Sequence, residues 1–74
     1  MPYEYRSSVG VVLVARAGRY WVCEFAGKRM GRWMTVTRAV DAVVNHRTGL
    51  ADWDRRRAFV EAQIDRWTPL DDQL

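Results

Sequence analysis

The sequence predicts an α+β fold: a three-stranded antiparallel β-meander followed by two α-helices, with the first helix packed on the sheet. Residues 8–36 predict the sheet, because runs of β-branched and aromatic residues are separated there by glycine-containing turns. Residues 37–48 and 52–67 predict the helices, because apolar residues recur in them at helical spacing. A chain of 74 residues is expected to form a single small domain.

Three predicted strands follow an irregular arm over residues 1–7. Pro2 and the lack of a clear alternation in the arm argue against a strand there. The first turn is predicted at Gly18 and the second at Gly27–Lys28, because glycine accepts the positive φ that tight hairpin turns require. The strands lie on either side of these turns, over residues 8–15, 20–26 and 30–36.

The hairpin register assigns the two faces of the predicted sheet. With Ala17–Gly18 as the first loop, Val14 pairs with Trp21, and the face around Trp21 becomes the core. Met34 falls on this core face and Trp33 on the opposite, more polar face. A one-residue slip in the second turn instead moves Trp33 to the core face. The other predicted core residues of the sheet are Val12, Cys23, Phe25 and Met30.

The first helix is predicted to begin at a threonine N-cap, either Thr37 or Thr35. Its apolar residues form one stripe, which is expected to pack on the sheet. The members of that stripe are Val36, Ala39, Val40, Val43 and Val44.

The second helix is predicted to begin at Asp52, and residues 68–74 are predicted to form a tail. One face of this helix carries an apolar stripe, which either completes the core of the monomer or meets its own copy across a two-fold axis. The monomer is favoured, because a sheet with one short helix leaves apolar surface uncovered. The stripe consists of Trp53, Val60, Ile64 and Trp67.

Composition limits the classes of protein that the chain can represent. No apolar run approaches the roughly 18 residues of a membrane span, and the N-terminal residues do not resemble a signal peptide. The single cysteine, Cys23, suits a reducing compartment, so a cytoplasmic location is expected. The net charge of +3 is uneven: residues 1–49 carry eight basic against three acidic side chains, whereas residues 50–74 carry four against six.

No combination of residues predicts catalysis, a cofactor or a metal site. Cys23 and His46 each lack a second metal ligand of their type, and Cys23 is expected to be a buried thiol. The glycines of residues 27–31 are too closely spaced for a phosphate-binding loop. Asp52 and Asp54 are interpreted as helix-start residues rather than as an acid–base pair. The protein is therefore not expected to be an enzyme.

The function that the sequence predicts best is nucleic-acid binding, with DNA the favoured partner. Arginine and lysine cluster in the hairpin turns and at the first helix start, where Arg38 lies, and two aromatic residues are interleaved with them. Cations bind phosphate, while flat rings contact bases or sugars. The predicted contact residues are Arg16, Arg19, Tyr20, Lys28, Arg29, Arg32 and Trp33.

Part of the chain resembles the arm-binding N-terminal domain of phage-type tyrosine recombinases. The matching positions are Tyr20-Trp21-Val22, Gly27-Lys28-Arg29, and then Trp33, Thr35 and Ala39. The resemblance covers residues 18–44 and implies a three-stranded sheet with a helix on one face, the sheet entering the DNA major groove. Cys23 and Glu24 depart from the pattern, because the family usually has basic or polar residues between the strand aromatics.

The alternative is a small phage-type accessory or inhibitor protein that binds a host protein complex. Four tryptophans and eleven arginines in so short a chain are residue types favoured at protein interfaces. An exposed apolar patch would favour this alternative, whereas a contiguous basic sheet face would favour nucleic acid.

Overall fold

The computed structural model describes residues 2–70, which form a five-stranded antiparallel sheet with one longer helix packed on it. The strand order is β4-β3-β2-β1-β5. The strands are β1 Tyr3–Ser7, β2 Gly10–Ala17, β3 Tyr20–Phe25, β4 Lys28–Trp33 and β5 Thr68–Pro69; the helices are α1 Val36–Val44, α2 Ala51–Asp54 and a 3-10 turn, Ile64–Arg66. The fold is α+β, but the prediction of three strands followed by two helices is wrong.

Strand β1 replaces the predicted irregular arm. Its residues alternate after all, because Tyr3 and Tyr5 pack against the core while Glu4 lies on the other face. The ring of Tyr5 lies 5.5 Å from that of Trp67, so β1 contacts a buried residue from the other end of the described chain. Strand β5 pairs with β1 at the sheet edge, so the first two residues of the predicted tail are a strand. The rest of the predicted tail, from residue 71 onward, lies outside the described residues.

The register of β2 with β3 differs from the prediction by two residues. Val14 pairs with Cys23 and Arg16 with Trp21, so the loop is Gly18–Arg19 rather than Ala17–Gly18. A shift of two residues leaves every side chain on its face, because side chains alternate with period two. The predicted core residues of these strands are therefore confirmed as buried: Val12, Val14, Cys23 and Phe25.

Strand β4 follows a turn at Ala26–Gly27, one residue before the predicted turn. Both turn residues have positive φ, 53° and 80°, as a type I′ hairpin turn requires. A β-bulge at Met30 then adds one residue, because Gly31 pairs with Cys23 and Arg29 with the next residue of β3. Met30 is buried as predicted.

The bulge reverses the faces predicted for the end of β4, because the earlier turn alone shifts the register by two residues and keeps every side chain on its face. Trp33 pairs with Trp21, so it lies on the core face, and its assignment to the polar face is wrong. The alternative that placed Trp33 on the core face is correct, although a bulge within β4 rather than a slip in the turn puts it there. Met34 lies beyond the strand and is 61% exposed, so its place in the predicted core is also wrong.

Helix α1 begins at the N-cap Thr35, whose hydroxyl accepts a hydrogen bond from the Arg38 N–H at 3.1 Å. It ends before residue 48, because His46 adopts a left-handed φ of 55°. The Arg47 N–H then donates to the Ala42 carbonyl at 2.9 Å, as in a Schellman C-cap. The apolar stripe of α1 is confirmed: Ala39, Val40 and Val43 are buried, and Val36 and Val44 are half-buried.

The predicted second helix over residues 52–67 is wrong. Helix α2 has four residues, its N-cap is Leu50 rather than Asp52, and irregular backbone follows as far as the 3-10 turn. The predicted apolar stripe nevertheless joins the core of the chain. Trp53, Val60 and Trp67 are buried and Ile64 is half-buried against them.

All of this packing lies on one face of the sheet, which leaves an outer face on the other side. Val22 lies on the outer face; it is 9% exposed yet does not belong to the core cluster. Its neighbours on that face are Val11, Leu13, Ala15, Tyr20 and Glu24 on β2 and β3, Arg29 and Arg32 on β4, and Glu4 and Arg6 on β1. Within residues 2–70 no helix is both long and apolar enough to cross a bilayer.

Candidate nucleic-acid interface

The fold does not bring all of the predicted contact residues together. Five of them surround the β2–β3 turn at one end of the sheet, and two follow the β3–β4 turn at the other. The ends lie about 17 Å apart, the length of a six-residue strand. The first group is Arg16, Arg19, Tyr20, Arg32 and Trp33, and the second is Lys28 and Arg29.

Four residues of the first group lie at the β2–β3 end of the sheet, which we call the arginine end: Arg16, Arg19, Tyr20 and Arg32. Arg16 is opposite Trp21 on the core face, whereas Tyr20 and Arg32 are on the outer face, so these residues surround the end of the sheet rather than one of its faces. The Nε–H of Arg16 donates to the Gly18 carbonyl at 3.0 Å, which holds the side chain along the β2–β3 turn. The guanidinium carbon of Arg32 lies 4.7 Å from the centre of the Tyr20 ring, a cation–π contact across two strands. These contacts order two of the three arginines before any partner binds.

The arginine end makes no ion pair within the described part of the chain. Among residues 2–70, no carboxylate lies within the 4.0 Å of an ion pair from Arg16, Arg19 or Arg32. Two residues separate β4 from helix α1, and the first turn of the helix contains Arg38 and no acidic residue. The helix N-terminus adds a partial positive charge to this region.

Trp33 is near the arginine end but faces the core. It is half-buried, and its ring lies against Gly31. A Cβ atom on Gly31 would lie 3.1 Å from the Trp33 ring and 3.3 Å from the Thr48 carbonyl oxygen, so only glycine fits this strand position without movement. This packing limits the surface of Trp33 that a base could reach.

The two predicted residues at the other end have acidic neighbours. Lys28 Nζ lies 3.5 Å from Asp52, and Arg29 pairs across the sheet with Glu24. Asp52 also accepts from Arg56 at 3.3 Å, and the charge of Lys28, helped by that of Arg56, holds the pKa of Asp52 below its usual value. The net positive charge at this end is therefore smaller than the sequence implies.

A second basic segment was not predicted as a site. Arg55, Arg56 and Arg57 follow α2 in irregular backbone and line an open cleft of about 550 Å³ together with His46 and Asp54. The signal in the sequence was the arginine triplet itself, which falls within the helix predicted over residues 52–67. The link between Arg56, Asp52 and Lys28 places this segment at the end of the sheet opposite the arginine end.

The remaining candidate reactive groups have structural partners. Burial raises the pKa of the Cys23 thiol to about 12, so the thiolate that attacks electrophiles is not formed near neutral pH. The Asp54 carboxylate accepts hydrogen bonds from Thr48 and Gly49. Within residues 2–70, no three or more His, Cys, Asp or Glu side chains form a group that could hold a metal ion.

Comparisons with protein-family models, curated proteins and solved structures return no match to this chain. The features of the structure that bear on function are the geometry and charge of its two basic regions. The arginine end presents guanidinium N–H donors and the ring of Tyr20. These groups suit contacts with a phosphate backbone.

Proposed function

We propose that this protein is a small non-enzymatic module that binds nucleic acid, with DNA the favoured partner, through the arginine end. The observation that most supports this proposal is the grouping of positive side chains without ion-pair partners at one end of the sheet. Three arginines without an ion-pair partner among residues 2–70 lie around one turn, and the start of α1 adds positive potential beside them. A polyanion gains affinity at such a surface by releasing its counterions.

The contacts expected from these side chains are mainly to phosphate and sugar. Arg16 and Arg19 lie on the β2–β3 hairpin and suit successive phosphates of one strand. Arg32 stacks on Tyr20, so the pair offers a flat cationic surface to a sugar or a base. Because phosphate contacts carry no sequence information, binding is expected to depend weakly on base sequence.

The test is the salt dependence of oligonucleotide binding, measured by fluorescence anisotropy from about 50 mM salt upward. Replacing both Arg16 and Arg19 with glutamine should weaken binding and flatten the slope of log affinity against log salt by about 2, one for each lost phosphate contact. Arg55→Gln with Arg57→Gln is the matched control, since it removes the same charge at the opposite end of the sheet. The control should leave the slope unchanged. Undetectable binding to duplex and single strands, or equal effects of the two double variants, contradicts the proposal.

A protein partner is the second candidate, and the outer face of the sheet supports it. Apolar side chains occupy the centre of this face, and Val11 is 37% exposed. Uncovered apolar surface of this kind is typical of protein interfaces. A partner that binds with fixed stoichiometry, survives nuclease and is lost in Val11→Glu but kept in the Arg16 and Arg19 variant would favour this candidate over nucleic acid.

A further inference from the structure

The cleft beside Arg55–Arg57 has the size and lining of a small-anion site. Its volume of about 550 Å³ is within the range of small-molecule pockets, roughly 300–1,000 Å³. The residues that line it include Arg55, Arg56, Arg57 and His46, against the single acidic residue Asp54. The formal charge of the lining is therefore positive at neutral pH.

His46 fixes the backbone that carries these arginines. Its Nδ1 lies 3.1 Å from the Trp53 carbonyl oxygen and its Nε2 lies 3.1 Å from the Ala58 carbonyl oxygen, so one ring bridges the two ends of the arginine segment. The ring also stacks on Trp53, with centroids 4.8 Å apart and planes 13° from parallel. Trp53 is fully buried, and its indole N–H donates to the Val43 carbonyl at 3.1 Å. The segment is thus anchored to the core, which lowers the entropy lost when a ligand binds.

The one carboxylate of the cleft is already hydrogen-bonded to neighbouring residues. The Oδ1 of Asp54 accepts from the Thr48 N–H at 3.0 Å and the Thr48 hydroxyl at 2.8 Å, and its Oδ2 accepts from the Gly49 N–H at 2.8 Å. Arg56 is held by Asp52 and lies over the Phe25 ring. Within residues 2–70, the guanidinium groups of Arg55 and Arg57 have no carboxylate within 4.0 Å.

We propose that this cleft binds the phosphate group of a small phosphorylated molecule, with Arg55 and Arg57 as the ligand-binding side chains and His46 as the residue that positions them. Guanidinium groups bind phosphate oxygens through paired N–H donors, and two of them match the charge of a phosphate monoester. The proposal is independent of nucleic-acid binding, because the cleft lies at the end of the sheet opposite Arg16 and Arg19.

The experiment is an amide NMR titration of the whole chain with inorganic phosphate and with phenyl phosphate. Phenol and sodium chloride at matched ionic strength are the controls for the organic group and for general screening. Both phosphates should give saturable shifts confined to residues 46–58, and phenol and chloride should not. Replacing Arg55 and Arg57 with glutamine should weaken phosphate binding by at least about tenfold, the size expected for hydrogen bonds to charged groups.

The variant with Arg16 and Arg19 replaced by glutamine carries the same loss of charge and should bind phosphate as the natural chain does. The same spectra show that each variant is folded. Shifts spread over the surface, shifts reproduced by chloride, or equal weakening in the two double variants would each overturn the phosphate site. Oligonucleotide binding measured on the same proteins separates the two proposals, because each predicts loss in a different double variant.

Discussion

Replacement of Trp53 tests the packing that joins the second half of the chain to the sheet. Trp53 is fully buried, its ring centre lies 4.9 Å from that of Phe25, and it also stacks on the His46 ring. Truncating such a side chain to alanine typically costs about 3–5 kcal/mol. A chain of 74 residues is expected to have only about 4–11 kcal/mol of stability. Trp53→Ala should therefore remove a large part of the free energy of unfolding.

Trp53→Phe separates the contribution of the indole hydrogen bond from that of packing. Phenylalanine keeps most of the contact with Phe25 but loses the hydrogen bond to the Val43 carbonyl, so a smaller loss of about 1–2 kcal/mol is expected. The Val43 carbonyl also accepts from the His46 N–H, which keeps it from being left without a partner. Both variants are measured by urea unfolding followed by far-UV circular dichroism.

The matched control is Met34→Ala, because Met34 is 61% exposed and a surface change is expected to stay within about 0.5 kcal/mol. A Trp53→Ala loss no larger than that of the control, with an unchanged urea dependence, would refute the assignment of Trp53 to the core.

Three further predictions concern single positions in the turns and strands. Ala26→Gly should raise the free energy of unfolding by about 1 kcal/mol in urea titrations, because alanine is strained at a φ of 53°. The control is Ala17→Gly, which lies in a strand and should lower the free energy of unfolding. Gly31→Ala should lower the thermal midpoint by several degrees, since the added Cβ would meet Trp33 at 3.1 Å at a φ of 143°; an unchanged midpoint would contradict this contact. Burial raises the pKa of Asp54, but its hydrogen bonds to Thr48 and Gly49 outweigh burial and lower the net pKa. Its stabilisation should therefore be present at neutral pH and lost as pH falls below about 4, so Asp54→Asn should destabilise most at pH 7 and least in acid; a pH-independent difference would contradict it.

The local pattern of the sequence was enough to predict the central elements. Alternation in β2 and β3 gave the right core face even though the register was two residues out, because that error preserves the faces. The stripe of α1 and its alternative N-cap, Thr35, were also correct. The turn before β4 was harder to place, since alanine at Ala26 gives no sign of its positive φ.

Strand β1 was missed although the signal was present. Tyr3 and Tyr5 alternate with charged residues, and the two tyrosines line the core face. The prediction overlooked that alternation and took Pro2 as evidence against a strand. The partner strand β5 is two residues long, and nothing local in Thr68–Pro69 indicates pairing with the start of the chain.

The prediction of the second helix was wrong because tertiary contacts compete with its backbone hydrogen bonds. The spacing of its apolar residues fitted a helix, but the carbonyl oxygens of Trp53 and Ala58 each lie 3.1 Å from a ring nitrogen of His46. Three arginines at the helix start also oppose the helix dipole. The apolar residues still reach the core, so the pattern identified what is buried without identifying the backbone.

The candidate site was predicted only in part, because the sequence gives no distance between turns. Lys28 and Arg29 were grouped with Arg16 and Arg19, yet an antiparallel sheet places successive turns at opposite ends. Nucleic-acid binding and the resemblance to a recombinase arm-binding domain stay predictions.

The most direct measurement is a map of backbone amide shifts during titration with a short DNA oligonucleotide at low salt. The proposed function predicts shifts concentrated at residues 16–20, at Arg32 and at the start of α1, with little change in residues 46–58. Their size should decrease as salt is added, because the contacts are electrostatic. Shifts centred on residues 46–58 or on the outer face around Val11, or no shifts at all, would contradict the arginine end as the nucleic-acid interface.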